Sequence, residues 1–260
     1  MTDPDAGYSL NLRGRRALVT GASRGIGAET ARLFAASGAK VFVHYRNDAE
    51  GAAAVVEAIC ASGGAAVAVQ GELTDDASVA RMFYNMETRG ARVDVVVNNA
   101  GAYSVAPLVA LSAPNWSAMF EANLKSAVTV TRCAALSMKA GGGGAIVNIG
   151  SLAAHSPQTA MAHYSSAKAA LLMFTRAAAQ ELGPYGIRVN SVSPGLVARN
   201  GIETSWPEGV TSWRDRAPLG RLVPASHVAR TCLFLASSAA TTITGQDIAV
   251  DAGMSCAALY

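Results

Sequence analysis

A serine, a tyrosine and a lysine stand close together in SLAAHSPQTAMAHYSSAK, residues 151–168. Tyr164 and Lys168 are one helical turn apart, so their side chains leave the same helical face. A phenol normally loses its proton near pH 10 and is a poor acid or base at neutrality. An ammonium group about 5 Å away, at an effective dielectric of about 20, favours the phenolate by roughly 3 kcal/mol, about two pK units. The expected result is a phenol able to give or take a proton at roughly pH 7 to 8. The Ser151 hydroxyl is placed to hold a carbonyl oxygen against it. Tyr-x-x-x-Lys also occurs by chance on many helices, so this pair gains meaning only from the rest of the chain.

The elements that must position these groups can be read in order. RRALVT, 15–20, is a short buried strand running into TGASRGIG, with Gly21, Gly25 and Gly27 at a strand-to-helix turn. Glycines there let the backbone approach a diphosphate, and the helix N-terminus offers unpaired N–H groups and a positive dipole end. The spacing is G-x-x-x-G-x-G. The next strand, KVFVHY at 40–45, ends where a dinucleotide-binding fold usually places an acid on the adenosine ribose. Tyr45 and Arg46 stand there instead, and Asp48 is expected to cap a helix beginning near Ala49. Arg46, with Arg24 in the glycine turn, would attract a 2′-phosphate. Two cations and no acid favour NADP(H) over NAD(H).

A third strand, 65–70, is followed by Glu72 and Leu73, which are expected over the adenine. VDVVV, 93–97, suits a parallel strand buried on both faces and ends in Asn98-Asn99-Ala100-Gly101. Those small residues and amides either line a cofactor crevice or brace neighbouring backbone. A long helix is expected over 114–139 with Asn123 midway. Strand 145–149 delivers Ser151, a helix carries Tyr164 and Lys168 to about Leu182, and strand 187–192 leads into Pro194-Gly195. Residues 196–217, with Trp206 and Trp213, read as an irregular loop: a substrate lid, or tryptophans packed on this surface or another subunit. A helix at 224–236 and a strand at 246–250 follow. Alternating strands and helices imply one α/β domain, doubly wound and Rossmann-type, over 15–260. Its sheet is expected to be mostly parallel, with seven strands and helices on both faces. Residues 1–14 read as a flexible lead-in.

Composition narrows the classes. A chain of 260 residues, 51% hydrophobic and 15% charged, can bury one large core. A net charge of +3, with the basic residues scattered, gives no argument for nucleic acid. The cysteines at 60, 133, 232 and 256 form no C-x-x-C pair and no metal-ligand cluster with the histidines. They read as thiols in a reducing compartment. No secretory signal and no membrane span is legible, so a cytoplasmic location is expected.

TGASRGIG at 20–27, NNAG at 98–101, Asn123, Ser151, YSSAK at 164–168 and PG at 194–195 together resemble the short-chain dehydrogenase/reductase family. The match runs from about residue 12 through nearly the whole chain, in order and spacing. The branch it looks most like holds the 3-oxoacyl-[acyl-carrier-protein] reductases and related NADPH-dependent ketoreductases. The resemblance implies a ketone–alcohol oxidoreductase with a small-molecule carbonyl or alcohol substrate. It implies Tyr164 as general acid and base, and Lys168 lowering its pKa and holding the nicotinamide ribose. It implies Ser151 bonding the substrate oxygen and Asn123 holding a relay water. Gly21, Ser23, Arg24, Gly25, Ile26, Gly27, Tyr45, Arg46, Glu72, Leu73, Asn98, Ala100 and Gly101 would meet the cofactor, with Pro194, Gly195 and Val197 near the nicotinamide. Glu72 stands where the family usually has aspartate. Arg199 stands where it often has threonine, and is expected to face an anionic substrate, a phosphate or solvent. His163 is expected at a surface or interface, and His155 near the substrate. A homotetramer or homodimer is implied. The alternatives are an NAD-dependent alcohol, sugar or steroid dehydrogenase, and a dinucleotide-binding sensor or scaffold without turnover.

Overall fold

Val95–Asn98 is buried at every position, so the run has no polar face to give to water. It must be covered on both sides, which a parallel sheet between two helix layers provides. The computed structural model, which describes residues 10–88 and 92–257, has that architecture. Strands β1 (Arg16–Val19), β2 (Lys40–Tyr45), β3 (Ala65–Gln70), β4 (Val95–Asn98), β5 (Gly144–Ile149), β6 (Ile187–Pro194) and β7 (Asp247–Val250) form one sheet. Their order is β3-β2-β1-β4-β5-β6-β7, and every neighbouring pair is parallel. The doubly wound seven-stranded expectation is borne out.

Successive strand residues face opposite layers. Ala17 and Val19 join the core with helices α1 (Gly25–Ala36) and α2 (Ala49–Ala61). Leu18, between them, joins the other layer with α3 (Asp76–Glu87). Chain direction along the sheet reverses between β1 and β4, and open α/β sheets bind ligands in the crevice outside such a switch point. The carboxyl ends of β1, β2, β4, β5 and β6 bring Gly21, Tyr45, Asn99, Ser151 and Gly195 to one edge of the molecule.

Three expectations change. The helix expected over 114–139 is α4 (Ala113–Phe120), a π-helical segment over Glu121–Lys125, and α5 (Ser126–Gly141). Asn123 sits in the π segment and is buried; such bulges re-aim side chains at functional sites. Residues 196–217 are not an irregular loop: they hold α7 (Ile202–Ser205) and α8 (Pro207–Arg216). Pro207 and Glu208 suit the start of α8, and Arg214 and Arg216 its end. Trp213 is buried, with Nε1 donating to the Arg221 carbonyl oxygen at 3.0 Å, whereas Trp206 is 45% exposed. The lead-in expected over 1–14 is not loose at Leu12, which is buried and whose N–H bonds the Ser37 carbonyl oxygen at 2.7 Å. Residues 1–9 lie outside the described residues. Helices α6 (Ala162–Leu182) and α9 (Ala225–Ala236) complete the layers.

Candidate active site

The glycine turn is built by close approach. Gly21 has φ +58°, and a Cβ there would meet the Ala100 Cα at 3.0 Å. A Cβ on Gly27 would come within 2.5 Å of both Asn99 Nδ2 and the Gly21 carbonyl oxygen. Thr20 and Asn99 tie the turn to the end of β4. Thr20 Oγ1 accepts the Asn99 and Ala100 N–H groups at 2.9 and 3.0 Å. Asn99 Nδ2 donates to the carbonyl oxygens of Thr20 and Gly21, both at 2.9 Å. Helix α1 has no side-chain cap and no acidic residue in its first turn. Its first amides and dipole are therefore left for an anion. Nothing lies within 4 Å of where a Gly25 Cβ would stand. An uncapped helix start beside open space fits a diphosphate. Ser23 and Ile26 are half-buried in the same turn, and Arg24 and Gly25 are exposed.

On the other side of the switch point, the end of β5 and the first turns of α6 bring Ser151, Tyr164 and Lys168 together. Lys168 is buried on α6, and Nζ donates to the Ile149 carbonyl oxygen at 2.8 Å. It lies 5.8 Å from the centroid of the Tyr164 ring. Desolvation lowers the Lys168 pKa to about 8. Tyr164 departs from the expectation of a depressed pKa. Burial raises the phenol, the hydrogen bond with Ser151 lowers it, and Tyr103 raises it again, for a net rise. Desolvation of the phenolate is the largest of these effects. Asn123 Nδ2 donates to the carbonyl oxygens of Ala102 at 2.9 Å and Met119 at 3.1 Å. Its Oδ1 is buried and has no partner. That oxygen points to Gly101, where an added Cβ would lie 2.6 Å from it and 3.7 Å from Lys168 Nζ. An unpaired carbonyl oxygen beside a buried ammonium suits a bound water.

The ends of β2 and β3 hold more charge than expected. Arg46 Nη1 is 3.6 Å from Glu72 Oε2, and Glu72 Oε1 accepts the Thr74 N–H and hydroxyl at 3.1 and 2.8 Å. Burial raises the Glu72 carboxyl, but the Thr74 bonds and the charges of Arg46 and His44 outweigh it and leave it lowered. Asp48 caps α2 through the Gly51 N–H at 3.0 Å. It also bonds Ser23, which with the Gly51 bond and nearby Arg24 holds its carboxyl below the ordinary range. The reading of two cations and no acid is corrected: a carboxylate past the strand end folds back onto the glycine turn.

Other side chains fall elsewhere than expected. Leu73 is buried in the core layer with α3. The buried Asn98 amide donates to Thr131 Oγ1 at 3.1 Å and Asn148 Oδ1 at 2.8 Å. Asn148 Nδ2 continues to Thr175 Oγ1 at 2.8 Å, locking β4 and β5 to α5 and α6. The bracing alternative thus describes the side chains of both Asn98 and Asn99. His155 turns away to β7, where its Nε2 lies 2.7 Å from Asp247 Oδ2. His163 is buried, not at the surface, with Nε2 3.0 Å from Ser104 Oγ. Pro194 is buried, and Ala100, Gly195 and Val197 are half-buried around the crevice. A Cβ on Gly195 would strike the Trp213 ring at 2.4 Å. Tyr45 is half-buried and Arg199 exposed.

Tyr103 is a residue that motif spacing did not single out. Its ring meets Tyr164 edge-on, with centroids 5.4 Å apart and planes at 83°, yet it stays 59% exposed. Its loop is held by Asn123 at Ala102, by His163 at Ser104, and by the Ala106 N–H on the Ala160 carbonyl oxygen at 2.8 Å. An aromatic residue two places beyond Gly101 was the available signal. Among the described residues, no group of three or more His, Cys, Asp or Glu could hold a metal ion.

A protein-family model described as enoyl-(acyl carrier protein) reductase matches residues 21–255. A 3-oxoacyl-[acyl-carrier-protein] reductase of Synechocystis sp. is 38% identical over 244 residues, covering 94% of this chain and 98% of that protein. The crystal structure of a gluconate 5-dehydrogenase from Burkholderia cenocepacia, in complex with NADP and tartrate, superposes with TM-score 0.90 at 32% identity. It covers 96% of this chain and 98% of that one. A 7α-hydroxysteroid dehydrogenase complexed with NADH and 7-oxo glycochenodeoxycholic acid superposes with TM-score 0.89 at 34% identity, over 94% of this chain and 95% of that one.

Proposed function

Because the chain belongs to the short-chain dehydrogenase/reductase family, we propose that it is an NADP(H)-dependent oxidoreductase interconverting a ketone and a secondary alcohol, of the 3-oxoacyl reductase type. The observation that carries the reading is the convergence of Ser151, Tyr164 and Lys168 beside an uncapped helix start. A nicotinamide dinucleotide, when bound, supplies the hydride to the carbonyl carbon or takes it back. The residues of this chain do the rest. The amides at the start of α1 hold the diphosphate, and Gly101, Pro194 and Gly195 flank the nicotinamide end. Ser151 donates to the substrate oxygen. Tyr164 gives its proton to that oxygen in reduction and takes it in oxidation. Burial raises the Tyr164 pKa, so the phenol is protonated at neutral pH, the state that reduction requires. Lys168 meets the ribose hydroxyls, and a water on Asn123 Oδ1 returns protons from solvent through Lys168.

Arg24 and Arg46 support the 2′-phosphorylated cofactor. The NAD(H) reading has its own support in Asp48 against Ser23 and in Glu72 beside Arg46. The four unbridged cysteines fit a reducing, cytoplasmic setting. No helix among the described residues is long and apolar enough to cross a membrane.

The test is consumption of NADPH and NADH over a panel of β-keto esters, carrier-bound 3-oxoacyl thioesters, sugar-like ketones and steroid ketones. Tyr164→Phe is expected to lose at least about 100-fold in kcat while binding cofactor with unchanged affinity by fluorescence. Turnover retained in that variant refutes the proton-transfer role. Cofactor binding without turnover on any ketone favours the sensor alternative.

A further inference from the structure

We infer that His44 is a positioning residue for the cofactor: its neutral imidazole holds the Gly21 peptide, and thereby sets where the glycine turn presents itself to the diphosphate. The inference rests on the dinucleotide reading above. His44 is 1% exposed, next to the last residue of β2. Both ring nitrogens are engaged. Nδ1 accepts the Gly21 N–H at 3.0 Å, and Nε2 lies 3.1 Å from the Gly71 carbonyl oxygen. A carbonyl oxygen only accepts, so Nε2 carries the hydrogen, and Nδ1 keeps the lone pair that Gly21 needs. Only the neutral Nε2–H tautomer satisfies both groups at once. The same residue also grips the turn through its main chain, since the Ala22 N–H bonds the His44 carbonyl oxygen at 2.8 Å.

Gly21 needs such a hold. It stands at φ +58° against the Ala100 backbone, and its carbonyl oxygen is fixed from the other side by Asn99 Nδ2 at 2.9 Å. The Gly21 residue is therefore held at its N–H by His44 and at its oxygen by Asn99. The amides that meet the anion lie four to six residues further on, at the start of α1. Their position depends on where Gly21 is set, because the turn has no side-chain cap of its own at Arg24. Without the Nδ1 acceptor, Gly21 has a part-buried N–H to satisfy and the turn must shift to do it.

Two near-isosteric variants separate the two bonds. The side-chain oxygen of His44→Asn occupies the place of Nδ1 and keeps the Gly21 bond. The side-chain amide nitrogen of His44→Gln occupies the place of Nε2 and keeps the Gly71 bond. Steady-state kinetics with NADPH and with NADH, together with thermal midpoints, are measured for the parent and both variants. His44→Gln is expected to raise KM about tenfold for both cofactors, equivalent to one lost buried hydrogen bond, with kcat at saturating cofactor unchanged. His44→Asn is expected to stay within about threefold of the parent. An equal effect on both cofactors points to the diphosphate and not the 2′-phosphate. The inference is overturned if His44→Gln lowers only the thermal midpoint and leaves KM unchanged, or if the two variants raise KM alike. A parent chain that binds neither cofactor overturns the dinucleotide reading and this inference with it. Parent binding with indifferent variants overturns this inference alone.

Discussion

Lys168 carries an ammonium group into the core with the Ile149 carbonyl oxygen at 2.8 Å as its hydrogen-bond partner. Burial lowers its pKa from 10.5 to about 8. Below about pH 8 both folded and unfolded chains hold the proton, so the full cost of burying the charge, about 3 kcal/mol, is present. Between about pH 8 and 10.5 the folded chain has released the proton and the unfolded chain has not, so stability rises with pH through that window. Lys168→Met removes the charge but leaves the Ile149 oxygen unpaired. The variant is expected to be more stable than the parent by about 1–2 kcal/mol at pH 7, with the advantage gone by about pH 10 and turnover lost. Chemical denaturation at the two pH values checks this. A variant less stable than the parent at pH 7 would mean that the charge is solvated better than its burial implies. A side chain that costs stability where it stands is what a functional lysine looks like.

At the scale of elements, the proposed discrimination between NADP(H) and NAD(H) rests on the ends of β2 and β3 and the turn after β1. Arg46 follows β2, Glu72 follows β3, and the two side chains meet at 3.6 Å. Asp48 starts α2 and reaches back to Ser23. The 2′-phosphate would have to compete with Glu72 for Arg46. Arg46→Asp is therefore expected to weaken NADPH binding by about 10–100-fold and reverse the preference, whereas Glu72→Gln should tighten NADPH binding and leave NADH nearly unchanged. Paired titrations with the two cofactors decide it. Unchanged selectivity in Arg46→Asp would move the discrimination to Arg24 or dissolve it.

At the scale of the molecule, α5 and α6 present Leu136, 73% exposed, and Met173, 61% exposed. Large apolar side chains on neighbouring helices suit a helix-to-helix contact between copies. The parent chain is expected to run as four copies in solution by light scattering. Leu136→Glu combined with Met173→Glu is expected to give smaller particles, since each buries a charge in the contact. A parent chain that runs as one copy removes the assembly.

Sequence alone determined what repeats locally. Apolar runs such as VDVVV have one energetic outcome, a strand covered on both faces, and glycines between a strand and a helix have one common geometry. The parallel sheet with helices on both faces follows from that alternation, whereas the strand order that brings Gly21, Asn99, Ser151 and Gly195 to one edge is set by the tertiary fold. The one-turn spacing of Tyr164 and Lys168 was legible for the same reason. Tertiary structure alone decided the electrostatics and the partners, because both depend on what distant segments bring near. Burial raises Tyr164 where spacing to a lysine predicted a fall. Asp48 and Glu72 return to the cations that the strand-end pattern left unopposed. Asn98 is drawn into a buried amide network, and His163 goes inward to Ser104. Desolvation and long-range hydrogen bonding are sums over neighbours in space, and no periodicity along the chain encodes that sum.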